Sequence, residues 1–173
     1  MELEPKIVIL LSTYNGEDYL AEQLDSLLKQ TYSNFIIIIR DDASTDSTEQ
    51  IINHYLERNQ GKIHKLSSIN SNVGPSSSFG LLIKYVIKEK TALGFSRLYM
   101  MLCDQDDIWT EKKLEVQMSE MLNAEQKSPD VPILVHSDLK VVDESKKVIA
   151  ESFVEYQRSE EHTSELQSPD HLV

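Results

Sequence analysis

Residues 7–29 read IVILLSTYNGEDYLAEQLDSLLK, and the order of their chemistry sets the class of fold. Ile7–Ser12 is an apolar run too short for a helix and reads as a buried strand. Thr13-Tyr14-Asn15-Gly16 is a polar turn, with Asn and Gly tolerant of positive φ. Asp18–Lys29 then carries Leu20, Leu24, Leu27 and Leu28 at helical spacing. A strand, a polar turn and an amphipathic helix in that order form the first half of a parallel crossover unit.

The unit repeats outward from there. Phe35–Arg40 is a second, isoleucine-rich strand. Ser44-Thr45-Asp46 offers N-caps for a helix holding Ile51, Ile52, Tyr55 and Leu56. Lys62–Leu66 is a weaker third strand, and Ser76 or Ser77 can cap a helix carrying Phe79, Leu82, Ile83 and Val86. Arg97–Cys103 is a fourth strand, Glu111–Leu122 a helix with Leu114, Met118 and Met121, and Ile133–His136 a fifth strand. Val141-Val142 and Val148-Ile149 flank a turn at Asp143–Ser145, which predicts a hairpin. The alternation predicts an α/β fold: a mostly parallel sheet with helices on both faces.

Bulk properties narrow the partners. The 173 residues suffice for one domain with a core, and 40% apolar with 27% charged residues is ordinary for a soluble protein. A net charge of −12 argues against nucleic acid or an anionic membrane held by bulk charge. One cysteine, Cys103, cannot form an internal disulfide, which suggests a reducing compartment. No segment reads as a signal peptide or membrane span, and none as a Gly-rich phosphate loop.

In open parallel sheets ligands bind beyond the carboxyl ends of the strands, and three polar clusters fall there. Thr13-Tyr14-Asn15 follows the first strand, with Ser12 at the strand's end counted in the same binding set. It is either an ordinary turn or a nucleoside site with Tyr14 packed against a base. Asp41-Asp42 follows the second strand, as a turn or as an acceptor for the N3–H of uracil or thymine. Asp104-Gln105-Asp106-Asp107 follows the fourth. Three carboxylates in four positions are costly unless a cation sits among them. An oxygen-only ligand set suits Mg²⁺ or Mn²⁺, and such an ion can neutralise a diphosphate in place of the missing Gly-rich loop. His136, Ser137 and Asp138 resemble part of a hydrolase triad, but no Gly-x-Ser-x-Gly elbow accompanies them. His54, His64 and Cys103 read as packing or surface residues.

The stretches VILLSTYNGEDYLAEQLDSLLKQTY, IIIIRDDASTDST and CDQDDIWTEKKL, in that order and with HSDLKVVDE after them, resemble bacterial family 2 glycosyltransferases, in particular the rhamnosyltransferase-like subgroup of polysaccharide assembly. The likeness covers Ile7 to about Phe153. It implies a GT-A fold (Rossmann-like), a UDP- or dTDP-sugar donor, a divalent cation, and inverting transfer to a glycan or lipid-linked acceptor. By motif position it puts Thr13, Tyr14 and Asn15 at the nucleoside, and Asp42 and Asp41 at the base. Asp106 falls near ribose and metal, Asp106 or Asp107 ligates the metal, and Asp104 is the outer acid. It further implies a cytoplasmic enzyme, with peripheral association at the inner face of the plasma membrane.

The family's acceptor motif, with its catalytic base, has no counterpart after Phe153. Residues 158–168 instead read RSEEHTSELQS, which resembles a translated sequencing adapter. Residues 1–157 are therefore expected to be the donor-binding part of a domain truncated at its C-terminal side and inactive in transfer, with 158–173 a non-native tail. Two rival readings are a sugar nucleotidyltransferase, which would open with a Gly-rich, Arg-containing loop where this chain has Ser12-Thr13-Tyr14-Asn15, and a non-catalytic sugar-nucleotide-binding module. A phosphoacceptor receiver domain would place its acidic pair after the first strand.

Overall fold

The computed structural model describes residues 5–67, 71–143 and 145–157. The expected tail at 158–173 lies outside them. The described chain divides into two compact units, one ending at Val116 and the other beginning at Gln117.

The first unit is a four-stranded sheet in the order β3-β2-β1-β4, parallel throughout. β1 is Ile7–Thr13, α1 Leu20–Leu28, β2 Phe35–Asp41, α2 Thr48–Arg58, β3 Ile63–Lys65, α3 Pro75–Glu89 and β4 Tyr99–Cys103. Side chains alternate across a strand, so β1 and β2 must bury both parities. Val8, Leu10, Ile36 and Ile38 pack with Leu82 and Val86 of α3 and with Phe95. Ile7, Ile9, Leu11, Ile37 and Ile39 are equally buried on the opposite face. There Gln23 of α1 reaches Cys103 of β4, and the Tyr55 hydroxyl of α2 donates to the Ala21 carbonyl of α1. Helices thus cover both faces, as the continuous apolar runs required.

The start of α3 differs from expectation. Neither Ser76 nor Ser77 caps it; the helix begins at Pro75, preceded by Gly74 at φ 80°. Proline is at home there because the first helical N–H has no intrahelical partner to lose. α2 begins at Thr48 with Ser47, not one of the expected Ser44, Thr45 or Asp46, at the N-cap and without a side-chain cap; Asp46, one residue earlier, accepts from the Thr48 N–H.

α4, Lys113–Lys127, crosses the division between the units. The second unit holds the predicted hairpin: β5, Val141–Val142, pairs antiparallel with β6, Val148–Ala150. Its turn has Lys146 at φ 64° and is closed by the Asp143 carboxylate, which accepts from the Ser145 and Lys147 N–H groups. The expected fifth strand at Ile133–His136 is not one. No ladder forms there among the described residues, Pro132 contributes no N–H, and Leu134 is 87% exposed. A short apolar run becomes a strand only where a neighbouring edge pairs with it.

Candidate functional site

The register of the sheet brings the three polar clusters together. Thr13 lies opposite Asp41, and Leu11 opposite Cys103, so the carboxyl ends of β2, β1 and β4 stand side by side. Above them opens a cleft of about 580 Å³, lined by Ser12, Thr13, Tyr14, Asp42, Asp104 and Asp106 from the expected set, and by Asn72, Gly74, Pro75, Phe79 and Gln105 besides. Asn15, Asp41 and Asp107 belong to the same loops but not to the lining.

Each of those three has a different occupation. Asn15, at φ 47°, is a brace: its N–H donates to Ser44 Oγ and its side-chain oxygen accepts from the Thr45 N–H. The Asp41 carboxylate accepts from the Ser44 N–H and hydroxyl. Asp107 lies in the field of Lys113, whose ammonium sits 4.1 Å over the Trp109 ring. Burial raises the Asp107 carboxyl above its ordinary range, Lys113 opposes that shift, and Asp106 and Asp104 add to it. Burial likewise lowers the Lys113 ammonium, against the pull of Asp107.

Asp42 lines the cleft, yet only 2% of it is exposed. One oxygen accepts from Arg40 Nη1 at 2.6 Å and the Val73 N–H at 2.9 Å; the other accepts from the Gly74 N–H at 2.8 Å and the Val73 N–H at 3.1 Å. Burial works to raise this carboxyl, but the hydrogen bonds from Val73, Arg40 and Gly74 and the Arg40 charge outweigh it and hold it below the usual carboxylate range. Its acceptor positions are filled by the protein, so a pyrimidine N3–H meeting it has to share them. Arg40, fully buried, also donates to Ser78 Oγ at 2.8 Å, and Ser12 Oγ donates to that same oxygen at 2.6 Å. This network anchors the 71–74 loop and the start of α3 to the ends of β1 and β2.

On the other side of Tyr14 stands the acidic loop. Asp104 and Asp106 line the cleft, and burial together with the Asp106 charge raises the Asp104 carboxyl. Behind them the Cys103 thiol is 2% exposed and is pushed up to about 12 by burial, which leaves it protonated and inert. Among the described residues no three His, Cys, Asp or Glu side chains converge as a complete cage. Asp104 and Asp106 are two oxygen donors facing a cleft whose lining holds no Lys, Arg or His. That set fits a hard divalent ion completed by ligand oxygens and water.

The sequence reading overlooked Arg40, Ser78, Gln105 and the 71–75 loop. The loop follows the end of β3, a fourth strand end of the kind already used three times. A lone arginine ending a run of four isoleucines was also a signal, because a buried charge demands a partner. Two members of the triad fragment are engaged elsewhere. Ser137 Oγ accepts from Gln117 Nε2, and Asp138 accepts from the Leu139, Phe153 and Val154 N–H groups.

Residues 8–165 match the family model described as glycosyl transferase family 2. A dTDP-rhamnosyl transferase RfbG of Shigella flexneri is 36% identical over 61% of this chain and 34% of its own. The UDP-Glc:alpha-D-GlcNAc-diphosphoundecaprenol beta-1,3-glucosyltransferase WfgD of Escherichia coli is 31% identical over 67% of this chain and 41% of its own. The chain thus spans well under half the length of these relatives. Among solved structures, S. aureus TarS 1-349 in complex with UDP superposes with a TM-score of 0.54 at 22% identity, over 82% of this chain and 43% of that one. That likeness identifies the fold as GT-A.

Proposed function

The chain belongs to glycosyl transferase family 2, and we propose that the cleft at the strand ends binds the nucleotide diphosphate of a sugar donor, UDP- or dTDP-linked, together with Mg²⁺ or Mn²⁺. The observation that carries this reading is the cleft's lining: Asp42, Asp104 and Asp106 are its charged members, and no cationic side chain accompanies them. A diphosphate entering it needs a counter-cation. Asp106, with Asp104 beside it, would hold that ion. Asp107, in the field of Lys113, adds its negative charge from the same loop. When bound, such an ion stabilises negative charge developing on a departing diphosphate.

The protein's own part is positioning. Tyr14 is 45% exposed at the cleft and offers a ring for a base to stack on. The loop that carries it is braced by Asn15, and Gly16 N–H donates to Thr48 Oγ1. Asp42 sets the floor of the base site by holding the Val73-Gly74 turn. The names of the relatives support transfer of rhamnose or glucose, in one of them to a diphosphoundecaprenol-linked acceptor; inverting transfer to a glycan or lipid-linked acceptor of a cell-surface polysaccharide, at the cytoplasmic face of the membrane, completes the proposal. No helix among the described residues is long and apolar enough to cross a membrane.

Transfer also needs a base at the acceptor hydroxyl, worth about 10²–10⁴-fold in rate. Asp138 accepts from the Leu139, Phe153 and Val154 N–H groups, and Asp143 closes its own turn. The described residues therefore support donor binding, and the 173-residue chain is expected not to form glycosides. In that respect the chain would behave as a non-catalytic sugar-nucleotide-binding module.

Calorimetry with UDP, dTDP and GDP tests the donor site. UDP or dTDP is expected to bind appreciably only with Mn²⁺ or Mg²⁺, GDP more weakly, and Asp106→Ala to abolish the metal dependence. Equal affinity in EDTA, or no preference against GDP, would overturn it.

A further inference from the structure

Gln105 is an amide between carboxylates, and its three hydrogen bonds all leave the acidic loop. Its Oε1 accepts from Thr13 Oγ1 at 2.6 Å and from the Tyr14 N–H at 2.8 Å, while Nε2 donates to the Tyr14 carbonyl at 3.1 Å. The side chain thus pairs with both polar groups of one residue's backbone, as a neighbouring strand would. A carboxylate at position 105 could not do so: it would set an oxygen against the Tyr14 carbonyl and add a fourth charge to Asp104, Asp106 and Asp107.

Gly16 lies against the same amide. A Cβ there would lie 2.5 Å from Gln105 Oε1 and 2.9 Å from Thr13 Oγ1. Gly16 is not among the residues at positive φ, so the backbone does not demand glycine. The space for the Gln105 amide does. The two residues account for one another.

We propose that Gln105 is a positioning residue that clamps the Tyr14 loop to the acidic loop, so that the nucleoside and the metal–diphosphate are bound as one coupled unit. This rests on the donor-site reading above. Coupling of this kind appears as a factor by which one ligand strengthens another. The Tyr14 loop keeps its second brace, on Ser44 and Thr48, so loss of the clamp should leave nucleoside binding largely in place while uncoupling it from the metal.

The test measures uridine and UDP affinity, each in Mn²⁺ and in EDTA, on the full chain and on Q105A, G16A and the double variant. In Q105A the strengthening of UDP binding by Mn²⁺ should fall on the order of tenfold, with uridine changed by less than about threefold. G16A should reproduce this, and the double variant should be no worse than either alone. An unchanged Mn²⁺ factor in Q105A, a parallel loss of uridine and UDP, or additive effects of the two substitutions would overturn the clamp. Should G16A fail to fold, Q105A decides alone. Absence of Mn²⁺-dependent nucleotide binding in the unmutated chain would count against the donor site instead. The clamp is then judged by hydrogen exchange at the Tyr14 amide: faster exchange in Q105A supports it, and unchanged protection overturns it.

Discussion

Arg40 carries a full charge at zero exposure, at the end of a strand of isoleucines, and its partner Asp42 is almost as deeply buried. Removing one member of such a pair leaves the other uncompensated, typically at about 3–5 kcal/mol. Asp42→Asn should therefore destabilise the chain by about 3 kcal/mol at pH 7 in urea unfolding, and weaken nucleotide binding through the 71–74 loop. The pH dependence follows from the direction of the shift. The folded Asp42 carboxyl lies below its unfolded value, so its contribution is fully present above about pH 4. That contribution is lost as pH falls through the folded value. The stability gap between the unmutated chain and Asp42→Asn should shrink on acidification below about pH 4; a constant gap would show that the ion pair is not its source.

At the scale of elements, the segment that joins the acidic loop to α4 is tied to the α1–β2 connection through Gln30. Gln30 Nε2 donates to the Thr110 carbonyl, and its Oε1 accepts from the Leu114 N–H in the first turn of α4. The Trp109 N–H donates to Ser26 Oγ of α1 nearby. Helix starts leave N–H groups without intrahelical partners, and Gln30 supplies one. Gln30→Ala should leave a buried N–H and carbonyl unsatisfied, costing about 1–3 kcal/mol. It should also speed hydrogen exchange at Leu114 before that at Ile9 or Ile38. Uniform loss of protection across the sheet would place Gln30 in the global core instead. The same scale explains why Ile133–His136 is no strand: its apolar pattern was legible, but the strand edge that would pair with it was not.

Over the whole molecule, 29 acidic against 17 basic residues leave a charge of −12. Mutual repulsion in a compact state falls as salt shortens the Debye length from about 20 Å to about 6 Å, between about 20 mM and about 300 mM. The melting temperature should therefore rise by a few degrees over that range in NaCl, before any divalent ion is added. A fall would mean that favourable pairs such as Lys65–Glu49 and Lys140–Glu151 outweigh the net repulsion. Because both of those pairs are partly or wholly exposed, each is worth little, and repulsion should prevail.

Local chemistry was enough to determine the alternation of strands and helices, the parallel sheet, the hairpin and the gathering of three polar clusters at strand ends. Apolar period and turn residues are properties of neighbours in the chain, and the right-handed crossover then leaves little topological choice. The division of labour within those clusters was decided only by the tertiary structure. Asp41 and Asp42 are adjacent and chemically identical, yet one accepts from its own turn and the other from residues 31 and 32 positions away. Asp106 faces the cleft, whereas Asp107 lies outside its lining, in the field of Lys113. Gln105 and Gly16 meet across 89 positions of sequence. Whether a carboxylate binds a ligand or holds a loop depends on which donors the fold brings to it, and those donors are distant in the chain.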